Sequence, residues 1–230
     1  MDASIFGIKI ATGERGELIS RARALVGRGG RIATVNPIMM SYAAENEEFC
    51  RILRGFDLCV PDGVGVRAAL LFRGERTDVL AGVELGLHLL EGEALSLGLI
   101  GGEAGIARRA MDNLLRSNPA LSEAFVFDGY AAREDEILEA LLETKPSLVY
   151  VCLGTPKQEL FISRIAPLSP STVFVGLGGS LDIYSGRKRR APRLFRALGA
   201  EWLWRIIKEP RRIGGIFRIF SFMRASLMRE

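Results

Sequence analysis

The chain has 230 residues, 48% of them hydrophobic and 25% charged, with 9 prolines and 3 cysteines. That length supports one sizeable core, or one domain with a smaller appendage, and the composition excludes a disordered, collagen-like or disulfide-stapled protein. The net charge of +4 conceals an asymmetry: residues 187–230 hold 13 of the 31 Lys and Arg and 3 of the 27 Asp and Glu, leaving an excess of acid in the rest.

Along the chain, short β-rich runs bounded by Gly, Pro or Asp alternate with longer segments whose apolar residues recur every three or four positions. Strands are expected near residues 5–8, 31–35, 56–60, 95–100, 125–127, 148–153 and 172–177. Helices are expected over 37–53, 64–72, 84–90, 104–116, 134–143 and 156–165. The run Leu148-Val149-Tyr150-Val151-Cys152-Leu153 is apolar on both faces. Such strands belong in a parallel sheet covered by helices on each side, so the fold class is α/β and Rossmann-like. The expected division is a catalytic domain over 1–190 and a basic, helical C-terminal appendage over 191–230. Ligands of such sheets bind beyond the carboxyl ends of the strands, which directs attention to the loops there.

The first of these loops is Thr34-Val35-Asn36-Pro37. Asn36 suits an N-cap with Pro37 opening the helix, while Thr34 and Asn36 also stand at the ligand edge. The second, Val60-Pro61-Asp62-Gly63-Val64-Gly65-Val66-Arg67-Ala68, fits G-x-G-x-x-A, and Glu84 follows about twenty residues later. A nicotinamide-dependent oxidoreductase is therefore one reading. Against it, Pro61 and Asp62 intervene after the strand, and a carboxylate repels a pyrophosphate. Asp62 is either a helix cap or a general base able to take a proton from an attacking hydroxyl.

The third loop is Gly154-Thr155-Pro156-Lys157-Gln158-Glu159. Thr155 and Gln158 have the spacing of a capping box around a Pro at the first helical position, which leaves Lys157 and Glu159 unaccounted for. The fourth, Gly176-Leu177-Gly178-Gly179-Ser180-Leu181-Asp182, has enough glycine for backbone amides to approach a phosphate. Cys50, Cys59 and Cys152 lie among apolar neighbours with no C-x-x-C, so they are expected to be buried free thiols in a reducing compartment. A single histidine, His88, excludes a histidine metal cluster. Without a signal-like segment or a long uncharged apolar run, the chain is expected neither to be secreted nor to span a membrane.

The tail begins Arg187-Lys188-Arg189-Arg190-Ala191-Pro192 and continues through Glu201-Trp202-Leu203-Trp204-Arg205 and Glu209-Pro210-Arg211-Arg212. At 100° per residue, Ile213, Ile216, Phe217, Phe220, Met223 and Leu227 share one face, opposite Arg211, Arg218 and Arg229, with Arg224 intruding on the apolar side. This is either a helix packed on the core or an interfacial helix on anionic lipid; the arginines and paired Trp favour lipid. Nucleic acid is disfavoured, because the basic residues are confined to one appendage. A chain ending near Gly199 is expected to keep a folded body while losing both the binding of anionic lipid and most activity.

Taken together, these strings resemble the WecG/TagA/CpsF glycosyltransferases, bacterial enzymes that add a sugar to a polyprenyl-diphosphate-linked acceptor. The resemblance rests on Thr34-Val35-Asn36, Pro61-Asp62-Gly63-Val64-Gly65, Gly154 to Glu159, Gly178 to Asp182, Arg190-Ala191-Pro192 and the two tail motifs, in order over nearly the whole chain. It implies inverting transfer from a UDP-sugar without a metal or other cofactor, and the sequence contains no Asp-x-Asp of the kind that holds a divalent ion. By the same resemblance Asp62 is the catalytic base, and Thr34, Asn36 and Gln158 line the pocket. Gly63, Gly154, Thr155, Glu159, Gly178 and Asp182 complete the substrate-binding set, while Arg205, Arg211 and Arg212 supply cations to the diphosphate. The donor implied is UDP-linked N-acetylmannosamine, its uronic acid or glucose, and the location is cytoplasmic, peripheral on the inner face of the bacterial membrane; homo-oligomers are left open. Around Gly82 the chain departs from the family, with Val79 where an Arg is usual and Glu84 where an Asp is usual, and Arg76 is the nearby candidate to replace the lost cation. A membrane-docked adaptor with a vestigial pocket is the non-enzymatic rival.

Overall fold

In a computed structural model, which describes residues 2–92, 94–129, 133–192, 195, 201–208, 222–224 and 226, the chain opens on a hairpin. Strand β1 (Asp2–Ile5) pairs antiparallel with β2 (Ile8–Ala11), so residues 5–8, expected as a strand, instead contain the reversal. Phe6 and Gly7 both have positive φ, 54° and 75°, as a two-residue primed turn requires. A polar helix α1 (Arg15–Arg23) follows, absent from the sequence expectation because only Leu18 and Ala22 are buried on it.

The apolar runs then form β3 (Gly30–Val35), β4 (Leu58–Pro61), β5 (Leu95–Gly101), β6 (Leu121–Phe127), β7 (Leu148–Cys152) and β8 (Val173–Gly176). These six pair in parallel in the order β4-β3-β8-β7-β5-β6, which bears out the α/β, parallel-sheet expectation. Every residue of β4, β7 and β8 is buried, as a doubly covered sheet demands. Alternate residues enter two separate cores: Val149 and Val151 face one, Leu148 and Tyr150 the other.

Right-handed crossovers decide which helix covers which face. Connections that step toward the β4 edge carry α2 (Pro37–Glu45), α3 (Glu47–Arg54), α7 (Glu134–Thr144) and α8 (Lys157–Ile165), all of which contribute to the first core. Connections that step toward the β6 edge carry α5 (Gly82–Leu89) and α6 (Ile106–Ser117), which contribute to the second. Helix α4 (Val64–Phe72) joins the first core, and the short α9 (Ser180–Tyr184) the second. The single helix expected over 37–53 is two helices, broken at Asn46, whose side chain accepts from Phe49 N at 2.9 Å and caps the second. The three cysteines are buried and free, as expected.

Of the appendage, α10 (Glu201–Lys208) and helical residues 222–224 and 226 are described. Phe222 is fully buried in the first core, edge-on to Phe6 with ring centroids 6.4 Å apart. The apolar face expected of the tail contained Met223, which packs partly against that core, but not Phe222; Ile213, Ile216, Phe217, Phe220 and Leu227 lie outside the described residues. Among the described residues no helix is long and apolar enough to cross a membrane.

Candidate active site

Strands β3 and β8 are neighbours whose chains leave toward opposite faces, so their carboxyl ends are the switch point at which such sheets form a ligand crevice. Four of the loops singled out in the sequence meet there, and hydrogen bonds stitch them in series. Asp62 N donates to Val35 O at 2.8 Å, tying the end of β4 to that of β3. The Thr34 hydroxyl donates to Gly176 O at 2.9 Å, tying β3 to β8. Gly178 N donates to the Gln158 side-chain oxygen at 2.9 Å, tying the β8 loop to the start of α8 behind β7.

The sequence-predicted residues fall into distinct situations along this series. Asn36 caps α2, accepting from Ile38 N and Met39 N at 3.1 Å each, with Pro37 in the first turn. Asp62 is half-buried and directly precedes Gly63, which holds the N-cap position of α4. Gly63 has φ +89°, a conformation that excludes most side chains, and a Cβ placed on it would meet no atom within 4 Å. Gly179 has ordinary φ, −81°, and is exposed, with open space where a side chain would project.

The capping box expected from Thr155 to Gln158 does not form. Pro156 occupies the N-cap position of α8 without a side-chain bond, the first helical residue is Lys157, and the side chains of the motif turn to each other instead. The Thr155 hydroxyl donates to Glu159 Oε1 at 3.3 Å, and Gln158 Nε2 donates to the same oxygen at 2.7 Å. Thr34, Gln158 and Glu159 are almost entirely withdrawn from solvent, at 4%, 2% and 0% exposure, so they shape the crevice from beneath. Burial pushes the Glu159 carboxyl up to about 7, although hydrogen bonds from Gln158 and Thr155 oppose the rise.

A stability prediction follows. Since the folded carboxyl holds its proton to higher pH than the unfolded one, its contribution is complete below the ordinary Glu range and is lost as pH rises through about 7. Thermal melts should show Glu159→Gln gaining on the wild type between pH 5 and pH 8, by about 3 kcal/mol at most.

Asp182 lies in the first turn of α9 and is paired with Lys188 Nζ at 3.0 Å and Arg187 Nη1 at 3.6 Å, so it anchors the start of the basic tail. Gly154 and Gly178 sit at positive φ, +74° and +53°, with open space where a side chain would project. Arg205 falls on α10, and Arg211 and Arg212 lie outside the described residues.

Glu84 shows what sequence reasoning missed. It receives Arg15 Nη1 at 2.9 Å and Arg190 Nη1 at 2.7 Å, and Arg190 Nε reaches on to Glu201 of α10 at 3.1 Å. Burial works to raise the Glu84 carboxyl, but the hydrogen bonds and charges of Arg190 and Arg15 outweigh it and hold the group below its usual range. Arg76, the candidate to replace the missing cation, lines a groove of about 450 Å³ with Arg67, Leu71 and Thr77. Glu84 also belongs to the first turn of α5, not to the end of a strand, so it cannot take the ribose-binding place of the dinucleotide fingerprint.

Known proteins resemble this chain over most of its length. The model of the glycosyl transferase WecG/TagA/CpsF family matches residues 3–229. A Bacillus spizizenii N-acetylglucosaminyldiphosphoundecaprenol N-acetyl-beta-D-mannosaminyltransferase is 30% identical over 207 residues, 88% of this chain and 80% of the relative. A protein of the same name from Staphylococcus aureus strain MW2 is 32% identical over 197 residues, 84% of this chain and 77% of the relative. One from Bacillus subtilis strain 168 is 30% identical over 186 residues, covering 79% and 73%.

Proposed function

Since the chain belongs to the WecG/TagA/CpsF glycosyltransferase family, we propose that it transfers a sugar from a UDP-sugar to a polyprenyl-diphosphate-linked sugar, with inversion and without a divalent metal. The observation that carries this reading is Asp62, a half-buried carboxylate at the end of β4, held in place through its backbone and set beside the empty space over Gly63. In the proposed step the acceptor hydroxyl gives its proton to Asp62 as its oxygen bonds the anomeric carbon. The bond from that carbon to the UDP oxygen breaks, and UDP leaves with the electron pair.

The relatives' names point to N-acetylmannosamine as the first donor to try and to a diphosphate-linked N-acetylglucosamine as the first acceptor. Cations of the chain then meet the charge on the leaving diphosphate, a role for which the net charge of residues 187–230 is suited. The same basic stretch is proposed to rest on anionic lipid, where the acceptor is anchored, which would make the protein peripheral to the membrane.

The test is a UDP-release assay over a panel of UDP-sugars with a short-chain polyprenyl-diphosphate N-acetylglucosamine acceptor, run with and without EDTA. Release that depends on acceptor and persists in EDTA is expected. Calorimetry should give a binding isotherm for UDP and none for NAD; the opposite pair of results would restore the oxidoreductase reading.

A further inference from the structure

Glu159 presents an unusual combination for a carboxyl group. It has no exposed surface, one oxygen accepts two hydrogen bonds, and the other, Oε2, has no hydrogen-bond partner among the described residues. Such a group is costly to bury, and packing alone would be served by an apolar side chain. Its neighbours indicate what is gained. Gln158 is itself 2% exposed, and its amide has two chemically different ends: Nε2 donates to Glu159 Oε1 at 2.7 Å, and the oxygen accepts from Gly178 N at 2.9 Å.

An amide can be rotated by half a turn with little change of shape, exchanging donor for acceptor. Here only one orientation is compatible with both partners. In the flipped orientation Gly178 N–H would face an NH₂ group, and Glu159 Oε1, which accepts from Nε2 whether the carboxyl is ionised or protonated on Oε2, would face an oxygen. The strand below leaves room for this arrangement, because a Cβ on Gly176 would come within 2.9 Å of Gln158 Nε2 and 3.6 Å of Glu159 Oε1.

We propose that Glu159 is a positioning residue: it fixes the polarity of the Gln158 amide, which in turn holds the Gly178–Gly179 backbone at the crevice in the conformation that receives substrate. This rests on the reading of the crevice as the site of sugar transfer. The groups facing Glu159 are Thr155 and Gln158 of its own segment, Gly176 of β8 and, close enough to feel its charge, the Cys59 thiol of β4. Apart from that thiol, no charged or titratable side chain is recorded as acting on Glu159 among the described residues, and no cation offsets the carboxylate. The role therefore needs an oxygen acceptor and not a negative charge.

That distinction supplies the test. Glu159→Gln keeps an acceptor facing Gln158 Nε2, whereas Glu159→Leu removes it at similar volume. The expected result is that Glu159→Gln keeps kcat/KM within about threefold of wild type, while Glu159→Leu loses about 100-fold, the scale associated with misplacing a site by a fraction of its geometry. Exchange of the Gly178 amide hydrogen, followed by NMR, should quicken in Glu159→Leu and not in Glu159→Gln. Equal damage in both variants, or wild-type kcat/KM and unchanged Gly178 exchange in Glu159→Leu, would overturn the proposal. The exchange measurement needs no substrate: if no UDP-sugar is turned over by any form, the functional reading fails while the amide result still judges the positioning role.

Discussion

Replacing Asp62 with asparagine should lower the turnover of sugar transfer by about two to four orders of magnitude, the usual contribution of a general base. The substitution is nearly isosteric, and the hydrogen bond that ties position 62 to β3 uses its backbone N–H, which asparagine retains. Position 62 is half-buried, and asparagine keeps the volume and one side-chain oxygen of aspartate, so packing changes little. UDP affinity by calorimetry and the melting temperature should accordingly stay near wild type while turnover collapses. Undiminished transfer by Asp62→Asn would remove the base from the mechanism. If in addition no phenotype depended on the residue, the adaptor reading would gain.

The second large effect concerns stability. Phe222→Ala should destabilise the protein by about 3–5 kcal/mol, the range for removing a fully buried phenylalanine, measured by reversible chemical denaturation. Phe222 has no exposed surface and meets Phe6 at the tip of the β1–β2 hairpin, edge-on at 79°. Close by in sequence, Ser226 O accepts from Arg73 Nη2 at 2.6 Å at the end of α4. A chain ending near Gly199 would leave a cavity against the hairpin and strip α4 of a partner. The truncated form is thus expected to lose core stability together with the tail, contrary to the expectation formed from sequence. A change below about 1 kcal/mol would show that the Phe222 contact contributes little.

Much of the architecture was legible because it depends on patterns that a single sequence displays. The doubly apolar run at 148–153 could only be an interior parallel strand, and the glycine-rich loops followed from where such strands end. The hairpin at residues 2–11 was not legible, because a primed turn usually announces itself with Asn or Asp before Gly, and here that position is Phe6. Helix α1 was hidden by a sequence that buries only two side chains. The Thr155 to Gln158 spacing suggested a capping box, but the buried carboxylate one residue on offers a competing acceptor to both Thr155 and Gln158. The Glu84–Arg190 pair joins residues 106 positions apart, and no periodicity reports such a contact. Within the site, the loops were found from sequence, but the division between residues that face open space and residues that brace them from below needed burial.

The three native thiols have a practical bearing on all of these measurements. Cys59 and Cys152 are pushed up to about 12 by burial, and Cys50 is also raised, so at neutral pH almost none of them is present as the reactive anion. With all three thiols buried, the wild-type protein is expected to label slowly with maleimides, which a thiol count on the folded protein checks. One cysteine introduced at the exposed Lys157, on the first turn of α8, would carry a fluorophore to the rim of the crevice without any prior removal of native sulfur.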